Sequence, residues 1–229
     1  MRVLIYGAGV IGSLYAALFS EAGVDTSVYA RGTRLETLRR NGLQYEKDGA
    51  VFTANVCVLD TLRPNDIYDF IFLTVRENQL HEALAQLREN QSPCIVTMVN
   101  SIEDYDIWEQ LCGAGRIIPA FPGAGGGFEN AVLHAALTPR LIQPTTFGVL
   151  TPEQDTAAKR LKALFKRANI PYQQVGDMHA WQLCHLAMVV PIADAYYETD
   201  DPANAGADQT VMAHTAGALR DNFRALARN

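Results

Sequence analysis

The chain has 229 residues, 48% of them hydrophobic and 19% charged, which suits one large domain or one domain plus part of a second and excludes a disordered polymer. Its 25 acidic and 19 basic residues leave a net charge of −6 with no dense basic cluster, so no nucleic-acid partner is expected. No apolar run reaches the ~18–20 residues that cross a bilayer, and the N-terminus carries no signal-peptide pattern, so a cytoplasmic protein with no membrane partner is expected.

The first hundred residues alternate between strand and helix signals. A short apolar run over 2–6 stops at Gly7, and helical spacing follows over 10–22, with Leu14, Ala17 and Leu18 on one stripe and Gly23 at the helix end. A β-prone run at 26–30 precedes a charged amphipathic helix over 33–40. Strands at 43–45 and 51–58 flank Lys47-Asp48-Gly49, a hairpin turn signal. The run 68–75, with FIFLTV at its core, reads as a strand buried on both faces, followed by a helix over 77–89 and a strand over 94–99. This order predicts an α/β fold, a Rossmann-type, doubly wound and mostly parallel sheet with helices on both sides.

Beyond Asn100 the pattern changes. A helix is expected over 103–111, a strand over 116–121, a flexible glycine loop over 123–127, and short antiparallel strands over 132–136, 141–144 and 146–149. Thr151-Pro152-Glu153 opens a helix that carries Lys159, Lys162 and Lys166 and ends near Asn169. A strand follows over 172–175, then a single buried helix over 178–197 that Pro191 should kink, and a last helix over 208–228. The expected division is a dinucleotide-binding domain over 1–175 and a short, truncated helical segment over 176–229. The four cysteines, Cys57, Cys94, Cys112 and Cys184, show no CxxC and no metal-ligand spacing, so they read as buried small hydrophobes and no metal site is expected.

The chemistry-bearing motif is Gly7-Ala8-Gly9-Val10-Ile11-Gly12, a GxGxxG lying between a predicted strand and a predicted helix. Gly7 permits the tight turn, Gly9 lets backbone approach a pyrophosphate, and Gly12 lets helix pack on strand. The helix N-terminus offers N–H groups and a positive dipole end to the phosphates. Where NAD-binding chains carry an acid about 20 residues on, this one has Arg31, with Arg34 close behind. An arginine there suits a 2′-phosphate, so NADP is the expected cofactor.

The segments GAGVIG, YARGTRLETLRRNGL, FIFLTVRENQL and VTMVNSIED together resemble the ketopantoate reductase (2-dehydropantoate 2-reductase) family. The resemblance covers most of residues 1–175 and implies NADPH-dependent reduction of a 2-keto acid, with hydride passing to the keto carbon. It implies that Gly7, Gly9 and Gly12 hold the pyrophosphate, with Ala8, Val10 and Ile11 completing the loop, and that Arg31 takes the 2′-phosphate. It further implies that Thr74, Val75 and Arg76 line the cofactor cleft, Arg76 standing where the family has Lys. Asn100 would contact the nicotinamide ribose or the substrate, followed by Ser101 in place of the family's Gly.

The family's general acid is a lysine on the first long helix of its C-terminal part. The corresponding stretch 179–191 holds no Lys and no Asn, and the chain reaches only about one more helix. His185, one turn past Trp181, is the candidate proton donor in its place, with His179 second; Arg76 could stabilise the alkoxide but not protonate it. Two readings follow. One is an NADP-dependent oxidoreductase acting on an unidentified keto acid. The other is a catalytically inactive NADP(H)-binding member with a binding or regulatory role. Apolar residues at Trp181, Met188, Tyr196 and Tyr197 predict a homodimer joined through the C-terminal helices.

Overall fold

The computed structural model describes residues 1–199 and 201–228. They form two compact units, Met1–Met178 and His179–Asn229.

The first unit opens with β1 (Arg2–Tyr6), α1 (Val10–Glu21), β2 (Asp25–Tyr29), α2 (Gly32–Asn41), β3 (Leu43–Lys47), β4 (Ala50–Ala54), β5 (Cys57–Leu59) and β6 (Phe70–Leu73). A 3₁₀ turn (Glu77–Gln79) then leads into α3 (Leu80–Leu87), followed by β7 (Ile95–Thr97), α4 (Tyr105–Cys112), β8 (Ile117–Phe121), β9 (Ala124–Glu129), β10 (Val132–Leu137) and β11 (Thr145–Phe147). After a second 3₁₀ turn come α5 (Asp155–Arg167) and β12 (Tyr172–Gln174). Eight strands make one sheet in the order β12-β11-β8-β7-β6-β1-β2-β5. All its pairs are parallel except β8 with β11. This is the doubly wound α/β architecture that the strand–helix alternation predicts. A second sheet, β4-β3-β10-β9, packs on the outer side of α1.

That second sheet explains α1. Its sequence suggests a one-sided stripe, yet Gly12 to Ala17 and Phe19 are all buried, because the helix is packed by a sheet on each side. Phe19 meets Phe72 of β6 at 5.0 Å between ring centroids, and Tyr15 shares a 2.5 Å hydrogen bond with Thr145 Oγ1. Phe165 of α5 packs on both Phe72 and Phe147. Each fully buried aromatic of this cluster contributes on the order of 2–3 kcal/mol. All four residues of β6 are fully buried, as a central parallel strand requires. α5 presents Ala158, Leu161, Leu164 and Phe165 to this core, and Arg167 donates to the Ala22 and Gly23 carbonyls at the end of α1, both at 2.8 Å.

Asp48 (φ 52°) and Gly49 (φ 79°) form the two-residue hairpin turn between β3 and β4. Several expectations need correction. Residues 51–58 are not one strand: the chain leaves β4 at Ala54, Asn55 exchanges hydrogen bonds with Ser20 Oγ (2.9 and 3.1 Å), and β5 joins the other sheet. The glycine run 123–127 is no loop but mostly β9, paired antiparallel with β10. A Cβ on Gly126 would come within 2.2 Å of the His134 carbonyl oxygen, so glycine allows the close approach. Residues 141–144 form a turn rather than a strand, with the Ile142 N–H bonded to the Pro139 carbonyl (2.9 Å) and Leu141 fully exposed. Cys57 and Cys184 are exposed; only Cys112 is fully buried, and burial pushes its thiol up to about 11.

The second unit contains most of α6 (Met178–Tyr197), a short 3₁₀ segment (Pro202–Ala207) and α7 (Gln209–Leu226). The Asp208 side chain caps α7 by accepting the Thr210 and Val211 N–H groups at 2.9 and 3.2 Å. The expectation of a wholly buried α6 does not hold: Met188, Val190, Ile192, Tyr196 and Tyr197 are exposed. No helix among the described residues is long and apolar enough to cross a membrane.

Candidate functional site

The strand order reverses at β1, whose neighbours are β2 on one side and β6 on the other. In open α/β sheets a crevice forms beyond the carboxyl ends of the strands at such a reversal. Here it is a cleft of about 360 Å³. β1 delivers Tyr6 and the loop Gly7-Ala8-Gly9, and β2 delivers Tyr29, Ala30 and Arg31. The chain after β6 delivers Thr74, Val75, Arg76 and Gln79; Arg34 of α2 and Phe128 of β9 complete the lining.

The loop is held from below. Thr74 Oγ1 donates to the Gly7 carbonyl at 2.7 Å, and the Gly7 N–H reaches the Tyr29 carbonyl at 3.2 Å. Gly7 has φ 113°, and a Cβ there would lie 2.9 Å from the Thr74 carbonyl oxygen, so only glycine makes this turn without strain. A Cβ on Gly9 would meet no protein atom within 4 Å and would project into the cleft. Gly9 is the N-cap of α1, with no side-chain cap and no acid in the first turn. The helix therefore presents its positive end to the cleft uncapped. These features fit a phosphate-bearing ligand.

Three guanidinium groups gather around the opening. Arg34 is half-buried and braces the loop, donating to the Ala8 carbonyl and to Ser13 Oγ, both at 3.0 Å, with its guanidinium 4.3 Å from the Phe128 ring centroid. Burial lowers its pKa without approaching neutrality. Arg31 extends to Glu82 on α3, Nη1 to Oε1 2.9 Å, and Arg76 lines the cleft directly. Tyr6 and Tyr29, paired in register on β1 and β2, stack at 4.4 Å and 23°. Burial is the largest of the causes that raise the Tyr6 hydroxyl pKa far above its ordinary range, so it stays protonated.

Of the residues expected at a cofactor site, Gly7, Ala8, Gly9, Arg31, Thr74, Val75 and Arg76 come together here. Val10 and Ile11 start α1 and pack against the core. Gly12 lies beneath the loop, where a Cβ would fall 2.0 Å from the Gly7 carbonyl oxygen and 2.4 Å from Thr74 Oγ1. Asn100 is exposed in the segment after β7 and is outside the cleft lining. The chain just after it is anchored: Glu103 Oε2 bonds Trp108 Nε1 (2.9 Å) and His81 Nε2 (2.8 Å). His185 belongs to the second unit, stacked on Trp181 at 5.1 Å and 6°. Burial lowers its pKa below the ordinary imidazole value, which favours the uncharged ring. Tyr6, Tyr29, Gln79 and Phe128 were not expected. The two tyrosines end adjacent strands, which is legible in the sequence; Phe128 reaches the cleft only because β9 folds back beside α1.

The family model for the ketopantoate reductase PanE/ApbA matches residues 3–143. A 2-dehydropantoate 2-reductase from Mesorhizobium japonicum is 31% identical over 138 residues, 59% of this chain and 38% of that protein. One from Pyrococcus horikoshii is 23% identical over 188 residues, 80% of this chain and 58% of that one. The chain thus spans well under two thirds of these relatives' lengths. Among solved structures, the PanE/ApbA family ketopantoate reductase of Ralstonia eutropha JMP134 superposes with a TM-score of 0.79 at 17% identity, covering 100% of this chain and 74% of that one. D-mandelate dehydrogenase in complex with NADH gives 0.78 at 17%, covering 99% and 73%.

Proposed function

Because the chain belongs to the ketopantoate reductase family, we propose that it binds NADP(H) in the glycine-loop cleft. On this reading it is an NADP-dependent oxidoreductase that reduces a 2-keto acid or a related carbonyl. The observation that carries the proposal is the cleft itself, where an uncapped helix start, a side-chain-free Gly9 and Arg31 converge beyond the ends of β1 and β2. Bound there, the reduced nicotinamide would supply a hydride.

The chain's own groups then divide the work. The start of α1 would hold the pyrophosphate, and Arg31 the 2′-phosphate through a charge-assisted pair. Thr74 and Arg34 keep the loop in shape, through the Gly7 and Ala8 carbonyls respectively. Asn100 would meet the nicotinamide ribose or the substrate. His185 is the proposed proton donor, with Arg76 stabilising negative charge on the substrate oxygen. The proposal extends to a homodimer through the C-terminal helices and to a cytoplasmic location; exposed Met188, Ile192 and Tyr196 on α6 support the former.

A second reading, binding without turnover, is favoured by one observation. Stretch 179–191, which corresponds to the family's proton-donating helix, has no lysine. Titration with NADPH and NADH, followed by quenching of Trp108 and Trp181, tests the cleft. NADPH binding at least ~10-fold tighter, about 1.4 kcal/mol, is the expected result, and no binding of either would refute the proposal. NADPH oxidation across a panel of 2-keto acids then separates the readings: turnover supports the enzyme, tight binding with none supports the inactive member.

A further inference from the structure

Arg31 is not a free cation waiting at the cleft. Its Nη1 lies 2.9 Å from Glu82 Oε1, and that same oxygen accepts a hydrogen bond from Gln86 Nε2 at 2.9 Å. The Gln86 side-chain oxygen in turn accepts from the Tyr6 hydroxyl at the floor of the cleft. Glu82 and Gln86 are one turn apart on α3, so the carboxylate is fixed from its own helix and aimed across at the end of β2. Its hydrogen bond is the leading cause of the raised Arg31 pKa.

A carboxylate in this position acts differently on the two nicotinamide dinucleotides. A 2′-phosphate meets an Arg31 whose Nη1 is already paired with Glu82, and that carboxylate beside it repels the dianion. A ribose 2′-hydroxyl has a proton to give and lacks that charge. An acidic side chain near the end of the second strand is the group that accepts it in NAD-binding folds. Here the acid arrives from α3 instead, which no spacing along the sequence reveals.

We propose that Glu82 is a specificity-determining residue at the 2′ end of the cleft, holding Arg31 back from the 2′-phosphate and serving as acceptor for a 2′-hydroxyl, so that the preference for NADPH is smaller than Arg31 alone would give. This rests on the reading of the cleft as a dinucleotide site.

The test compares dissociation constants of NADPH and NADH for the wild-type chain, Glu82→Gln, Arg31→Gln and the double variant. Glu82→Gln keeps the side-chain shape and removes the charge. It is expected to tighten NADPH by ~5–10-fold while leaving NADH unchanged or weaker, an effect the size of one close like-charge contact. In the Arg31→Gln background most of that gain disappears, since the competition is for Arg31. An NADPH-to-NADH ratio that stays within ~2-fold of wild type in Glu82→Gln, with both cofactors still bound, overturns the inference and leaves the cofactor reading intact. Loss of both cofactors from the wild-type chain overturns the cofactor reading and this inference with it. An unchanged melting temperature in Glu82→Gln shows that the shift in ratio is not a folding defect.

Discussion

At Gly12 a single methyl group would meet the Gly7 carbonyl oxygen at 2.0 Å and Thr74 Oγ1 at 2.4 Å, both parts of the rigid loop-and-strand floor. Gly12→Ala is therefore expected to cost at least ~1–3 kcal/mol of stability and to abolish dinucleotide binding, as read by thermal denaturation and by titration. A variant that melts and binds like wild type would remove Gly12 from the packing argument. His185 gives a second prediction. Its folded-state pKa is lowered by burial, so below the ordinary value near ~6.5 the unfolded chain takes up a proton that the folded site resists. The stability it contributes is complete above that pH and is lost as pH falls through the depressed value. In an NMR titration the His185 ring is expected to titrate below pH ~6.5, and a midpoint at or above that value would contradict its buried setting.

Among the elements, α3, α4 and β8 are joined by one side chain that the sequence did not single out. Arg116 donates to the carbonyls of Leu87 (3.0 Å), Cys112 (2.6 Å), Asn90 (2.7 Å) and Ser92 (2.8 and 3.0 Å), which closes the ends of both helices. Burial lowers its pKa, yet an arginine stays charged through any such shift. Arg116→Met would keep the stem and strand these acceptors, and a loss of ~2–4 kcal/mol in denaturant unfolding is expected. The strand β9 behaves in the opposite way, depending on the absence of a side chain. Gly126→Ala would push β9 off β10 and move Phe128 away from Arg34, so weaker dinucleotide binding should accompany its lowered stability.

For the whole molecule, net charge −6 favours solubility, but α6 leaves Met188, Ile192 and Tyr196 exposed four residues apart along one helix face. The proposed homodimer uses that face. Sedimentation should give twice the chain mass for wild type and the single mass for Ile192→Glu with an unchanged fold. A wild-type monomer at micromolar concentration would exclude the arrangement.

Much of this was legible in the chain. Continuous apolar runs such as RVLIY and FIFL define β1 and β6, because a central parallel strand must be apolar on both faces, and their order gives the doubly wound sheet. Local glycine chemistry placed the loop, since the positive φ at Gly7 and the approach of Gly12 to the Gly7 carbonyl oxygen lie within the motif, while Thr74, which packs against both, is brought there by the fold. Arg31 followed from its distance to that loop. The three-dimensional fold alone decided which groups surround it. Glu82 and Gln86 on α3 bond to the cleft residues Arg31 and Tyr6, and Phe128 of β9 lines the cleft itself, though all three lie far along the chain. The glycine run became a strand rather than a loop for the same reason, because its partner β10 supplies the hydrogen bonds that no local pattern announces. Periodicity and turn chemistry act over a few residues and so can be read from sequence. The charge around Arg31 is set by side chains tens of residues away, and only folding brings them together.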